Sequence, residues 1–220
     1  IPAHFTGIYG HRTSFGVIPY LGHIPPPPGV SAAPAMAVAG PLGRSAGDLI
    51  LAMEALTTPA PGETPTTDTV ELSPPQPRAL NDYRIAVWLD DAGATVDTAL
   101  MPPLQQTVAA LREAGARIDE TARPAISLAQ IHEIYHGLVG RVLRGHGPAD
   151  LEQRQRELQD TFARFFADHD VLLAPVARVA AFPHDHSQPM GDRRLPVNGA
   201  DTDYIHSLDI WVSPASAAHL

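Results

Sequence analysis

The stretch "YRIAVWLDD" at 83–91 constrains the fold more than any other part of this 220-residue chain. It is short, apolar and β-branched, which suits a buried strand. Leu104, Val108 and Leu111 follow at helical spacing and close at Gly115, and "ARIDET" at 116–121 has the pattern of a second strand. Strand, helix, strand in about forty residues is a crossover unit, because two parallel neighbours cannot be joined by a tight turn. The expected class is α/β, with a parallel pairing covered by its helix. The first turn of the unit has no glycine-rich phosphate cradle, so nucleotide binding is not indicated.

The remaining periodicities extend this frame. Leu49, Met53 and Leu56 predict a helix over 45–57, with Ser45 and Asp48 as a capping pair. Leu128, Ile131, Tyr135, Leu138 and Val142 predict another, and Leu151, Leu158, Phe162 and Phe165 a further one, separated by "GHGPAD". "HDVLLAP" at 169–175 has the run of a central strand buried on both faces. "HIPPPPGV" at 23–30 predicts an extended, rigid loop, and the Pro- and Thr-rich residues 58–82 a long surface connection. "FPHDHSQPMGDRRLPVNGADTDY" at 182–204 reads as loop, and the final "IHSLDIWVSPASAAHL" is apolar again without a polar tail. A single partial domain, cut at both ends, is the expected organisation.

Composition removes several function classes. Twenty-four acids against 15 bases give a formal charge of −9, a field that repels phosphate backbones, so no nucleic-acid partner is expected. No apolar run approaches the ~20 residues needed to span a bilayer, and no secretory signal opens the chain, so a soluble, cytoplasmic protein is expected. The absence of Cys excludes thiol nucleophiles and Cys-ligated zinc. All 15 bases are Arg, so no lysine amine can serve from within these residues.

Three constellations could carry chemistry. His184 and His186 flank Asp185 and could converge on a metal if a third ligand came from elsewhere, but ordinary hydrogen-bonding roles are the expectation, with no metal and no cofactor. Asp90 and Asp91 end a strand, where adjacent acids usually solvate a turn. A Ser/His/Asp triad has candidates but no G-x-S-x-G elbow to hold one.

The opening "IPAHFTGIYGHRTSFG" resembles the segment of the amidase signature family that follows its nucleophile, with Pro2, Ala3, Phe5, Gly7, Gly10 and Gly16 in register. "AGPLGRSAGDLILAMEAL" is similar to that family's next helix through Gly40, Pro41, Arg44, Ser45, Asp48 and Leu49. "DVLLAPVARVAAFPHD" is similar to its late strand and loop, and "SPASAAHL" to the lead-in to a last strand. His11, Arg12, Thr13 and Ser14 depart from the residues usual at those places.

The resemblance implies an α/β fold whose mixed central sheet is covered by helices on both faces, and hydrolysis of a carboxamide C–N bond through a seryl acyl-enzyme, with a second serine relaying the proton to a lysine. It places those groups ahead of Ile1, in and before a Gly-Gly-Ser-x-Arg stretch. The chain itself is then expected to contribute no catalytic residue. It would act as housing, with Pro2–Gly10 as a strand behind the nucleophile loop. Thr6, Phe182, His184 and Trp211 are the expected substrate contacts, "DIWV" being taken as adjacent to a core strand. A small amide is the implied substrate, and a homodimer is compatible with the resemblance. The alternatives are a non-catalytic binding or scaffold protein on the same fold, and a metal hydrolase using His184 and His186. Deprived of upstream strands, the chain alone is expected to be inactive and poorly soluble.

Overall fold

A computed structural model describes residues 1–15, 17, 18, 36, 38–57, 78–186 and 188–220. The polyproline stretch, Gly16 and most of the 58–82 connection lie outside the described residues.

The chain begins with a helix, α1 (Pro2–Thr6), where a strand was expected. Pro2 sits in its first turn, where the missing N–H costs nothing, and Gly7 ends it at φ 67° in the left-handed region. The extended part is only β1 (Tyr9–Gly10), paired antiparallel with β2 (Leu42–Gly43). The His11 N–H donates to the Pro41 carbonyl at 3.0 Å, and the buried Thr13 hydroxyl donates to the Ala39 carbonyl at 2.9 Å. The two stretches that resembled one family in sequence therefore lie side by side. Helix α2 (Ala46–Thr57) follows, capped by the Ser45 hydroxyl, which accepts from the Asp48 N–H at 3.1 Å.

The crossover unit forms as expected. β3 (Arg84–Val87) leads through α3 (Met101–Glu113) to β4 (Arg117–Asp119), which pairs parallel with β3. Helices α4 (Leu128–Arg144) and α5 (Leu151–Asp168) come next, then β5 (Val171–Leu173), parallel to β3 on its other side. Among the described residues the sheet order is β4-β3-β5, so β3 is the central strand and β5 lies at an edge, partly exposed, not central as its apolar run suggested. An apolar run reports burial of side chains, which helices can supply from the faces without a second neighbouring strand.

Strand alternation divides the core between two faces. Ile85 and Val87 pack with Val108, Leu111 and Ala116 on the α3 side. Trp88 and Leu172 join Ile131, Leu138, Leu158 and Phe162 on the α4 and α5 side. The fold is α/β, with helices on both faces of a parallel sheet. Of the predicted α4 stripe, Val142 alone turns outward, 37% exposed in the last turn.

The region 182–204, read as loop, contains a hairpin, β6 (Arg194–Val197) and β7 (Ala200–Asp203). Asn198 and Gly199 take φ 53° and 78°, the left-handed pair that a two-residue turn between twisted strands requires. The Asn198 side chain ties this turn inward, accepting from the Thr98 N–H at 2.8 Å and donating to the Val96 carbonyl at 3.0 Å. The last apolar stretch is two short helices, α6 (Tyr204–Asp209) and α7 (Ser213–Ala218), so "DIWV" joins helices and adjoins no strand. Among the described residues no helix is long and apolar enough to cross a membrane.

One ion-pair network locks the base of the sheet. Asp170 accepts from the Arg84 N–H at 2.8 Å and Nε at 3.0 Å, and from Arg78 at 3.4 Å. Hydrogen bonds from Arg84, then those from Arg78, hold its carboxyl well below the usual carboxylate range. A carboxyl whose pKa is lower folded than unfolded stabilises the fold above the unfolded value of about 3.9 and loses that contribution as pH falls below it. Urea midpoints should therefore decline between about pH 5 and pH 2 in the native protein. Asp170→Asn should start lower at neutral pH and decline less; parallel curves for the two proteins would refute this assignment.

Candidate functional site

The front of the chain is seated on the segment that follows β5. The His4 Nε2 lies 2.9 Å from the Val179 carbonyl, and the Phe5 ring meets Phe182 edge-on at 5.5 Å. Phe182 in turn meets Tyr204 edge-on at 5.8 Å, and it packs with Val179, Leu195, Val197 and Leu208. Edge-to-face geometry is the favourable arrangement for aromatic quadrupoles, so three rings from α1, the 182 loop and α6 form one half-buried wall.

The four expected substrate contacts have different surroundings. Phe182 is in this wall. Thr6 is exposed, and its hydroxyl donates to the Pro2 carbonyl of its own helix at 2.9 Å. His184 is exposed and its ring stacks on His186, centroids 5.8 Å apart. Trp211 is 4% exposed, its N–H donating to the Ala94 carbonyl at 3.0 Å and its ring set edge-on to Trp88 at 5.7 Å.

A second group of side chains went unnoticed in the sequence. His132 and His136 stand one turn apart on α4, so both face the same way, and α6 delivers Asp209 opposite them. The His132 Nε2 lies 2.7 Å from Asp209 Oδ1, and the His136 Nε2 lies 3.3 Å from Asp209 Oδ2. The two Nε2 atoms are 3.0 Å apart. Among the described residues these are the ones whose donor atoms converge as metal ligands would, and His184 with His186 are not part of the group. The signal in the sequence is "HEIYH" at 132–136, two histidines at helical spacing, which the apolar stripe through Ile131 and Tyr135 obscures.

The neighbours of this group are polar as well. His206 meets the His132 ring edge-on at 4.8 Å. Burial, then the proximity of His132, lowers the His206 pKa from its ordinary value, against a hydrogen bond to the Gly93 backbone. Burial and the negative charge of Asp209 raise the Tyr135 phenol. Glu133, inside the same motif, points elsewhere: it pairs with Arg154 of α5 at 2.9 Å, and that hydrogen bond lowers its carboxyl pKa.

The amidase family model matches residues 1–141. The chain belongs to the amidase family. Both the seated front helix and the β1–β2 pairing lie inside the matched amidase region. Solved structures of similar fold include a fatty acid amide hydrolase, with TM-score 0.71 and 20% identity, covering 99% of this chain and 41% of that one. An amidase gives TM-score 0.67 and 19% identity over 100% of this chain and 50% of that one. A bacterial aryl acylamidase of the amidase signature enzymes gives 0.65 and 18%, over 99% and 51%. This chain thus spans about half or less of the length of those amidase-fold structures. No curated protein sequence matches it.

Proposed function

We propose that residues 1–220 form the housing of a serine amidase whose reacting groups precede Ile1. A serine hydroxyl must lose its proton as it attacks an amide carbonyl, so it needs a base that is neutral at working pH. In the amidase scheme a buried lysine supplies that base through a second serine, and backbone N–H groups hold the oxyanion. The absence of lysine from the chain agrees with a base located elsewhere.

The observation that carries this reading is the family match over a front helix fastened to the 179–182 segment. A nucleophile directly ahead of α1 would be positioned by that fastening. Phe182, with Phe5 and Tyr204, would then present an aromatic wall to the acyl part of a small amide, as apolar pockets with few polar groups do. In this scheme Thr6 braces α1, His184 lies at the rim, and Trp211 supports the site from the core behind it.

Turnover of a small aryl carboxamide tests the proposal. The 220 residues alone should leave the substrate at its uncatalysed rate. A longer chain reading Gly-Gly-Ser-x-Arg ahead of Ile1 should hydrolyse it and lose activity when that serine becomes alanine. An inactive longer chain that still bound the amide would favour a binding protein on the amidase fold.

A further inference from the structure

We propose that His132, His136 and Asp209 bind a divalent first-row transition metal of the zinc class, which braces α4 against α6. The proposal uses no residue of the amide pocket and does not depend on it. An ion held by bonds of about 2.0–2.1 Å in tetrahedral geometry separates its ligand atoms by about 3.3 Å. The two Nε2 atoms are 3.0 Å apart, each has a different Asp209 oxygen at 2.7 or 3.3 Å, and one ligand atom from each residue lies within 4.8 Å of the others, close enough for one ion to gather all three.

Hydrogen accounting supports a cation over a proton-sharing network. A carboxylate only accepts, and each neutral imidazole Nε2 either donates or accepts. If both nitrogens donate to Asp209, two N–H groups confront each other at 3.0 Å. If His132 accepts from His136, its lone pair faces Asp209 Oδ1 at 2.7 Å. If His136 accepts from His132, its lone pair faces Oδ2 at 3.3 Å. While Asp209 is ionised no assignment satisfies all three contacts, whereas one cation meets both nitrogen lone pairs and the carboxylate at once.

Burial and ligand chemistry define the class of ion. The His132 and Asp209 side chains are only 12% and 11% exposed, while His136 is 45% exposed, so two ligands are held inside and the third closes the site from its mouth. Two imidazoles with one carboxylate and no thiolate suit Zn²⁺, Co²⁺ or Ni²⁺ better than Ca²⁺ or Mg²⁺. Glu133, which in this spacing could act as a base on metal-bound water, is engaged by Arg154. The site is therefore assigned to bracing the two helices and not to hydrolysis.

Cobalt(II) is the probe, because four-coordinate cobalt shows intense visible bands. Titration of the protein should give one cobalt per chain, displaced by zinc, and a metal-dependent rise in melting midpoint. His136→Ala and the bulkier His136→Gln should each weaken cobalt binding by at least about 100-fold, the upper end of the cost of losing even an outer partner of a metal ligand. Midpoints of these variants in EDTA should match the native protein, and His184→Ala should bind normally. Absence of stoichiometric cobalt binding, or binding by both His136 variants as tight as that of the native protein, would overturn the site.

Discussion

Trp211→Ala should lower the unfolding free energy by about 3–5 kcal/mol, the range for deleting a buried aromatic ring. The indole is almost wholly buried, packs edge-on to Trp88, and lies in the core cluster shared with α4, α5 and α7. Deletion leaves a cavity that the two helices on either side of Trp211 cannot close without moving α7, which packs on both α4 and α5. It also leaves the Ala94 carbonyl without the indole N–H. Trp211→Phe separates these effects, since it keeps most of the ring and loses the hydrogen bond, and should cost only about 1–3 kcal/mol. Urea unfolding followed by circular dichroism reads both. A loss for Trp211→Ala below about 1 kcal/mol, the range of ordinary surface changes, would show that Trp211 does not anchor this core.

Gly40→Ala should be the most disruptive change in the front half, costing about 1–3 kcal/mol or more as backbone is forced apart. A Cβ built on Gly40 would stand 1.9 Å from the His11 carbonyl oxygen, far inside contact distance. The obstacle is main chain, so no side chain can swing away. That main chain is pinned by the bond from the His11 N–H to Pro41 and from the Thr13 hydroxyl to Ala39. The strain would fall on the pairing that seats the chain's front, so amide turnover in the longer protein should fall with stability. Gly191→Ala, where nothing lies within 4 Å of the added carbon, is the control and should be nearly neutral. Equal melting midpoints for the two variants would contradict the close approach of 40 to 11.

Long helical periods were legible because their stripes meet a real core. Leu128, Ile131 and Leu138 on α4, and Leu151, Leu158, Phe162 and Phe165 on α5, are all buried. The crossover unit was legible for the same reason, with β3 apolar on both faces. Five residues of α1 are too few to show any period, and the apolar letters there fit a strand equally well. The Asn198-Gly199 pair is a hairpin signal, but it lies among prolines and charges that read as loop. β5 showed its composition but not its place, since a strand's neighbours are decided by topology. The His132, His136 and Asp209 group was half visible: spacing gives two histidines on one helix face, but only the folded chain brings Asp209 to them.

The same division holds for the front of the chain and the aromatic wall beside it. Motif spelling indicated a family, and the fold shows how its two motif segments pair. The wall of Phe5, Phe182 and Tyr204 joins residues far apart in sequence, which no motif or period relates.

The position of the reactive hydroxyl can be read directly. A longer protein carrying these residues, quenched with acid during turnover of a carboxamide and digested for mass spectrometry, would retain the acyl group on one serine. That serine is expected on a peptide ahead of Ile1, with every peptide from Ile1 to Leu220 unmodified. An acyl group on any serine or threonine within these 220 residues would contradict it.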